Sequence, residues 1–255
     1  MGILNLTPDS FYDGGSYKDE KSILKKVEIF LNEGATFIDV GAYSSRPGAD
    51  NISVEVELTR LIPVLNLIIK EFPQILLSID TFRSKVAKES IEAGASIIND
   101  ISAGKLDDDM LATVANLQVP YIMMHMKGTP QTMKDLNQYQ DIIKELLFYF
   151  SERIKAARDL GINDIIIDPG FGFAKNISQN FELLNKLELL QLADIPMLAG
   201  ISRKSLIYKT LKIDVDESLN GTTVLNTIAL QKGVSILRVH DVKEAVQAVK
   251  LVNSL

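Results

Sequence analysis

Eight times along this 255-residue chain a short apolar run is followed by a longer segment with helical periodicity. The short runs are Gly2–Leu4, Phe37–Val40, Ile75–Ile79, Ser96–Ile98, Tyr121–Met124, Ile165–Ile167, Met197–Ala199 and Ile236–Val239. After them the spacing predicts helices over Lys21–Asn32, Val54–Glu71, Ser84–Ala93, Asp108–Leu117, Ile142–Leu160, Ser178–Leu190, Asn220–Gln231 and Val242–Val252. In the first, Ile23, Leu24, Val27, Phe30 and Leu31 form one apolar stripe with lysines and Glu28 opposite. Gly34, Gly94, Gly161 and Gly233 stand just past predicted helix ends, where a residue able to take positive φ stops a helix. Strands that are apolar on both faces need cover on both faces, so the repeats read as a parallel sheet wrapped by helices. Eight such units close into a (β/α)8 TIM barrel, which uses about 250 residues. A doubly wound open sheet is the alternative architecture. No linker or compositional break divides residues 1–255, which read as one domain.

Composition removes several function classes. The chain has no cysteine, so disulfides, thiolate metal sites and cysteine nucleophiles are out. That absence is compatible with the cytoplasm. A net charge of −6 argues against a nucleic-acid surface while allowing a local basic pocket for an anion. There is no signal peptide and no uncharged apolar run of about 18 residues, so nothing is expected to span a membrane. A serine hydrolase is disfavoured because no Gly-x-Ser-x-Gly elbow occurs. Two histidines without an accompanying carboxylate triad argue against a histidine metal site.

In a barrel of this kind the chemistry sits at the C-terminal strand ends and the loops beyond them. Those ends carry Asn5, Asp39, Asp80, Asn99 with Asp100, His125, Asp168, Ser202–Lys204, and Arg238 with His240. Asp39 faces either the barrel interior or a neighbouring helix. Asp100, before Ile101-Ser102, serves equally well as a turn or cap residue. Arg46, Arg238, His240 and Asn5 suit a dianionic group such as a diphosphate with Mg²⁺, because arginine offers a planar donor fork and a hard cation takes amide oxygen. For Arg46 a solvated loop charge is the simpler alternative. Alternation places Arg238 and His240 on one face. Asp80, Asn99, Asp168 and Lys204 suit a flat heterocycle with both donors and acceptors. Asp168-Pro-Gly-Phe-Gly-Phe173 lets backbone approach a ligand and offers Phe173 as a wall, although it is also a tight βα turn. Met123, Met124 and Met126 read as core and pocket lining. The first loop, after Asn5, carries Asp9, Asp13 and an exposed-looking Phe11.

In this order and spacing, Gly2-Ile-Leu-Asn-Leu-Thr-Pro-Asp-Ser-Phe11, Ser44-Ser-Arg-Pro-Gly48, Ser78-Ile-Asp-Thr81, Ile98-Asn-Asp100, Met124-His125, Asp168-Pro-Gly-Phe-Gly-Phe173, Ser202-Arg-Lys-Ser205 and Arg238-Val-His240 resemble dihydropteroate synthases essentially end to end. These are the folate-pathway enzymes targeted by sulfonamides. The family joins 6-hydroxymethyl-7,8-dihydropterin diphosphate to p-aminobenzoate and releases diphosphate. The resemblance implies that Asp80, Asn99, Asp168 and Lys204 hold the pterin ring, with Met124 and Phe173 flanking it. It implies that Asn5, Arg46, Arg238 and His240 hold the diphosphate, with Asn5 near Mg²⁺. It places Phe11, Ser45, Pro47, Lys204 and Ser205 around the aminobenzoate. It also implies a homodimer with late helices at the interface.

Diphosphate departure before amine attack needs no nucleophile. It needs cations at the leaving group and carboxylates near the developing positive charge. Lys204 and Arg238 are the catalytic candidates on the cationic side, and Asp9 and Asp13 would approach the cationic centre when the first loop closes. Two departures from the family stand out. Ser45 occupies a position where the family commonly has Thr, and Met1 falls inside the first strand, where family members usually have preceding residues, as if the chain were trimmed or incomplete. The rival readings are a methyltetrahydrofolate–corrinoid methyltransferase pterin domain, which needs no diphosphate cluster, and a pterin-binding homologue without turnover.

Overall fold

The computed structural model describes residues 1–6, 17–44 and 51–255. Eight parallel strands alternate with helices in chain order: β1 (Gly2–Asn5), α1 (Tyr17–Asn32), β2 (Phe37–Gly41), α2 (Val54–Glu71), β3 (Leu76–Asp80), α3 (Ser84–Glu92), β4 (Ile97–Asp100), α4 (Met110–Leu117), β5 (Tyr121–Met124), α5 (Ile142–Asp159), β6 (Ile165–Asp168), α6 (Ile177–Asn185), β7 (Leu198–Ala199), α7 (Ser205–Leu211), α8 (Leu219–Gln231), β8 (Ile236–Leu237) and α9 (Val242–Val252). Strands β1 to β6 hydrogen-bond in sequence order, and β7 pairs with β8. Bridges between Ile167 and Met197 and between Gly2 and Val239 join the two arcs into a closed ring. The architecture is the (β/α)8 barrel, not the open sheet.

Period-two alternation divides each strand between two apolar environments. Ile38, Val40, Leu77, Ile79, Ile98, Tyr121, Met123, Ile165, Ile167, Met197 and Val239 point outward into the main core shared with the helices. Ile97, Ile122 and Leu198, packed with Met1, Phe37, Ile166 and Ile236, fill the barrel axis near its N-terminal end. That plug forms an apolar floor beneath the strand ends. Polar residues of the same inward parity therefore sit on an apolar base and open only upward.

The observed helix starts and stops have local causes. Asn176 and Gln179 form a reciprocal capping box at the start of α6. Asp141 accepts from the amides of Ile143 and Lys144 at the start of α5. The four predicted helix stops, Gly34, Gly94, Gly161 and Gly233, all take positive φ, from 87° to 109°.

Several elements differ from expectation: α1 begins at Tyr17, four residues before the predicted Lys21, and α4 at Met110, two after the predicted Asp108. The predicted Ser178–Leu190 helix ends as α-helix at Asn185 and continues as a 3₁₀ segment over Leu187–Ala193. α7 was not anticipated, because a seven-residue helix with only Leu206 and Ile207 buried is too short for a helical stripe to register. β7 and β8 are two residues long each, shorter than the predicted Met197–Ala199 and Ile236–Val239, and beyond them the pairing is by single bridges at Met197 and Val239.

Candidate active site

The strand ends converge on one mouth, centred on Asp39 at the middle of β2. Asp39 is fully buried and faces the interior. Its Oδ1 accepts from Ser78 Oγ at 2.6 Å, and its Oδ2 accepts from Asn99 Nδ2 at 3.1 Å and Arg238 Nε at 2.6 Å. Arg238 also donates from Nη2 to Asp80 Oδ2 at 2.7 Å. One guanidinium at the end of β8 thus spans the ring and clamps carboxylates from β2 and β3. Desolvation, joined by repulsion from Asp39, pushes the Asp80 carboxyl up to about 7 against the pull of Arg238. Two inward positions at this level are glycines. A Cβ on Gly41 would lie 3.2 Å from Asp80 Cβ, and one on Gly200 would lie 3.8 Å from Lys204 Nζ. A side chain at Gly41 would press on Asp80, so glycine there leaves that carboxylate its place.

Asp168 and Lys204 complete the opposite wall. Asp168 is buried at the end of β6 and accepts from Gly170 N at 2.7 Å. Burial raises its pKa, and the nearby Lys204 ammonium opposes that rise. Lys204 precedes α7, and its Nζ donates to Phe171 O and lies 4.8 Å from the Phe173 ring centre. Desolvation brings its pKa down to about 8. Gly170 has φ +71°, and a Cβ there would come within 2.1 Å of His125 O, so only glycine fits this turn. Met124, Met126 and Phe173 share an apolar cluster with Ile101, Met133 and Ala174, which brings the two predicted flanking residues together.

The remaining predicted residues divide in three. Asn5 is half-buried at the end of β1, opposite Gly41. Ser205 is the first residue of α7, and the His240 amide donates to Ser202 Oγ at 3.2 Å on the loop after β8. Asp9, Phe11, Asp13, Ser45, Arg46 and Pro47 lie outside the described residues. Two strand-end residues face away from the mouth. Asp100 takes Tyr121 OH at 2.6 Å and the Ser102 and Gly104 amides at 2.7 and 2.6 Å, so it organises its own turn. His125 packs edge-on against Tyr149 at 4.7 Å, on the helix side of the barrel. Arg203, next to Lys204, also turns away and pairs with Asp241 through Nε and Nη2 at 3.0 and 2.7 Å.

Asp39 is the site residue that the sequence left open. Its signal was parity: it lies two residues after the axial Phe37, whereas Asp100 lies an odd number after the axial Ile97.

The model of pterin-binding enzymes matches residues 1–240. Dihydropteroate synthase of Escherichia coli is 43% identical over 256 residues, covering all of this chain and 90% of that protein. The chain belongs to the dihydropteroate synthase family. Its activity class is that family's, a transferase of folate synthesis. The folic acid synthesis protein fol1 of Schizosaccharomyces pombe is 45% identical over all of this chain, which spans only 36% of that longer protein. Among solved structures, dihydropteroate synthase of Xanthomonas albilineans with 4-aminobenzoic acid superposes with a TM-score of 0.91 at 38% identity, covering 99% of this chain and 91% of that one. Neither the corrinoid methyltransferase nor a binding-only homologue is favoured beside these dihydropteroate synthase relatives.

Proposed function

We propose that this mouth condenses a dihydropterin carrying a diphosphate leaving group with p-aminobenzoate, releasing diphosphate. The observation that carries the reading is the inward set Asp39, Asp80, Asn99 and Asp168, held with Arg238 and Lys204 above an apolar floor. A flat ring with adjacent N–H and amino groups meets carboxylate acceptors from β3 and β6 and the Asn99 amide from β4. Met124 and Phe173 bound its faces. The C–O bond to the diphosphate breaks with the electron pair leaving on oxygen. The C–N bond then forms to the amine, which gives up a proton. Three carboxylates against the two cations Arg238 and Lys204 favour positive charge on the ring at the moment of cleavage. Ser205 and Lys204 border the aminobenzoate, and His240 with Arg238 faces the diphosphate.

Magnesium fits this donor set in one way. No group of three His, Asp or Glu side chains able to cage a metal occurs among the described residues. Magnesium commonly binds through one or two protein oxygens, substrate phosphates and water, and the Asn5 amide oxygen at the rim is a suitable single donor. When bound there it would neutralise charge on the departing diphosphate.

The reaction is tested by mixing the pterin diphosphate with p-aminobenzoate, with and without Mg²⁺, and measuring released diphosphate. Release that requires both substrates and increases with Mg²⁺ supports the reading; absence of release with both substrates and Mg²⁺ overturns it. Lys204 supplies a second test. Its ammonium is present below pH 8 and is lost above it, because burial lowers its pKa to about 8. kcat/KM for the pterin substrate should therefore fall about tenfold per pH unit on the alkaline side. Lys204→Arg should remove that limb; an unchanged limb in the variant would assign it to another group.

A homodimer accords with the family resemblance and with the exposed Leu211, Val215 and Val224 on the late helical segments. A cytoplasmic setting accords with the lack of cysteine. No helix among the described residues is long and apolar enough to cross a membrane.

A further inference from the structure

The loop after β6, residues 169–175, is tied down by side chains from several elements. The Gly170 amide donates to Asp168 and the Gly172 amide to Asn180 Oδ1, both at 2.7 Å. Tyr139 OH donates to Ala174 O at 3.0 Å, and Asn180 Nδ2 to Lys175 O at 3.1 Å. Gly170 O and Phe173 O both accept from Lys175 Nζ, at 3.0 and 3.1 Å, and Gly170 O also takes the Phe173 amide at 3.1 Å. A third contact from the same Nζ, at 3.0 Å, reaches His125 Nδ1. An ammonium has three N–H donors, and here it meets three acceptors.

Lys175 is only 8% exposed, and none of these three partners is a carboxylate. Desolvation lowers its pKa to about 7, and burial together with the Lys175 charge holds His125 well below its ordinary value. A neutral imidazole with its proton on Nε2 is the form that accepts at Nδ1. The Asp168 charge opposes the fall in the Lys175 pKa. Burying an ammonium with no carboxylate in hydrogen-bond contact still costs stability, so its retention calls for a return in geometry.

We propose that Lys175 is a positioning residue for the pterin half of the reaction, its ammonium fixing the loop that aims Asp168 and Phe173 into the mouth. This rests on the reading of Asp168 as a pterin acceptor. Two hydrogen bonds separate the ammonium from that carboxylate, through the two ends of Gly170. One further residue along the loop, the Phe171 carbonyl holds Lys204. Loosening Gly170 O and releasing Phe173 O lets the pterin contacts of Asp168 and Phe173 drift, while Ser205 on the aminobenzoate side, at the start of α7, stays in place. Misplacement of about 1 Å is enough to cost a large factor in rate or affinity.

The test uses steady-state kinetics on both substrates. Lys175→Met should raise the KM for the pterin diphosphate by about tenfold or more and leave the aminobenzoate KM within about threefold. The chain has no cysteine, which makes Lys175→Cys a single chemical handle. Alkylated in the unfolded state with bromoethylamine and refolded, it regains an ammonium of nearly the same reach. Alkylated with iodoacetamide, it carries a neutral amide. The first product should recover the pterin KM and the second should not, with wild type taken through the same cycle as reference; this comparison stands even where Lys175→Met does not fold. A lower melting temperature with both KM values raised equally, or neither raised, would make Lys175 a fold strut and overturn the proposal. Asp168→Asn in the same assay separates the two layers. An unchanged pterin KM there refutes the Asp168 reading itself, whereas a raised one beside normal Lys175 variants refutes the positioning role alone.

Discussion

Asp168→Asn should leave the barrel folded and reduce affinity for the pterin substrate on the order of 10³-fold or more. The variant isolates hydrogen-bond polarity from shape. In the wild type one carboxylate oxygen accepts the Gly170 amide at 2.7 Å. An asparagine satisfies that amide with its own oxygen and so preserves the turn. Its NH₂ group then occupies the place of the second carboxylate oxygen and meets the ring's N–H donors with donors. A buried site that confronts a donor with a donor loses both the bond and the solvation of each group, which is why polar mismatches discriminate by far more than missing methylenes. Equilibrium binding of the pterin diphosphate, alongside a thermal melt, measures both halves of the expectation. Near-normal affinity would remove Asp168 from the pterin site.

Arg238→Met carries the second large effect, and here stability and catalysis fall together. The guanidinium bonds Asp39 at 2.6 Å and Asp80 at 2.7 Å, and Asp39 is fully buried. Removing one partner of a buried ion pair costs about 3–5 kcal/mol, because the remaining charge has neither water nor a partner. At roughly 2–4 °C per kcal/mol for a chain of this size, the melting temperature should drop by about 6–20 °C near neutral pH. The direction with pH follows from the carboxylates. Asp80 already has a folded pKa raised to about 7 and loses the opposing pull of Arg238 in the variant, so the penalty is full at high pH and shrinks as acid protonates this carboxyl. Adding Asp39→Asn should recover part of the loss, giving a double variant more stable than the sum of the single effects. Turnover should fall by about 10²–10³, the usual consequence of deleting one electrostatic contact to a leaving group. A melting temperature equal to wild type would show that the clamp contributes nothing.

Much of this was legible before any coordinates, for a physical reason. Apolar runs such as Tyr121–Met124 and Phe37–Val40 recur with amphipathic helices between them, and that pattern admits few closed arrangements. Asp80, Asn99, Asp168 and Arg238 were legible because a barrel brings every strand end to one rim. Legibility failed where a decision depended on which way a single side chain points. Asp39 and Asp100 are both strand acids among apolar neighbours, yet one anchors the mouth and the other ties its own turn to Tyr121. Counting in twos from the axial Phe37 and Ile97 separates them, but those axial residues are recognisable only once the plug is seen. Lys175 escaped notice for another reason. Its partners are two backbone carbonyls and a histidine fifty residues earlier in sequence, and no local pattern announces such a contact. α7 was missed because two buried residues do not make a periodicity.

The ring is not evenly knit. From β1 to β5 neighbouring strands share three or four register pairs, whereas β7 and β8 share two and meet the rest of the barrel through single bridges. Asp39, Asp80 and Asn99 rise from the well-knit arc, and Arg238 and Lys204 from the sparse one. The acids thus stand on the densely paired arc and the cations on the sparsely paired one, so that the Arg238 ion pairs joining the two arcs are in part the same electrostatic attraction that a substrate must share when it enters.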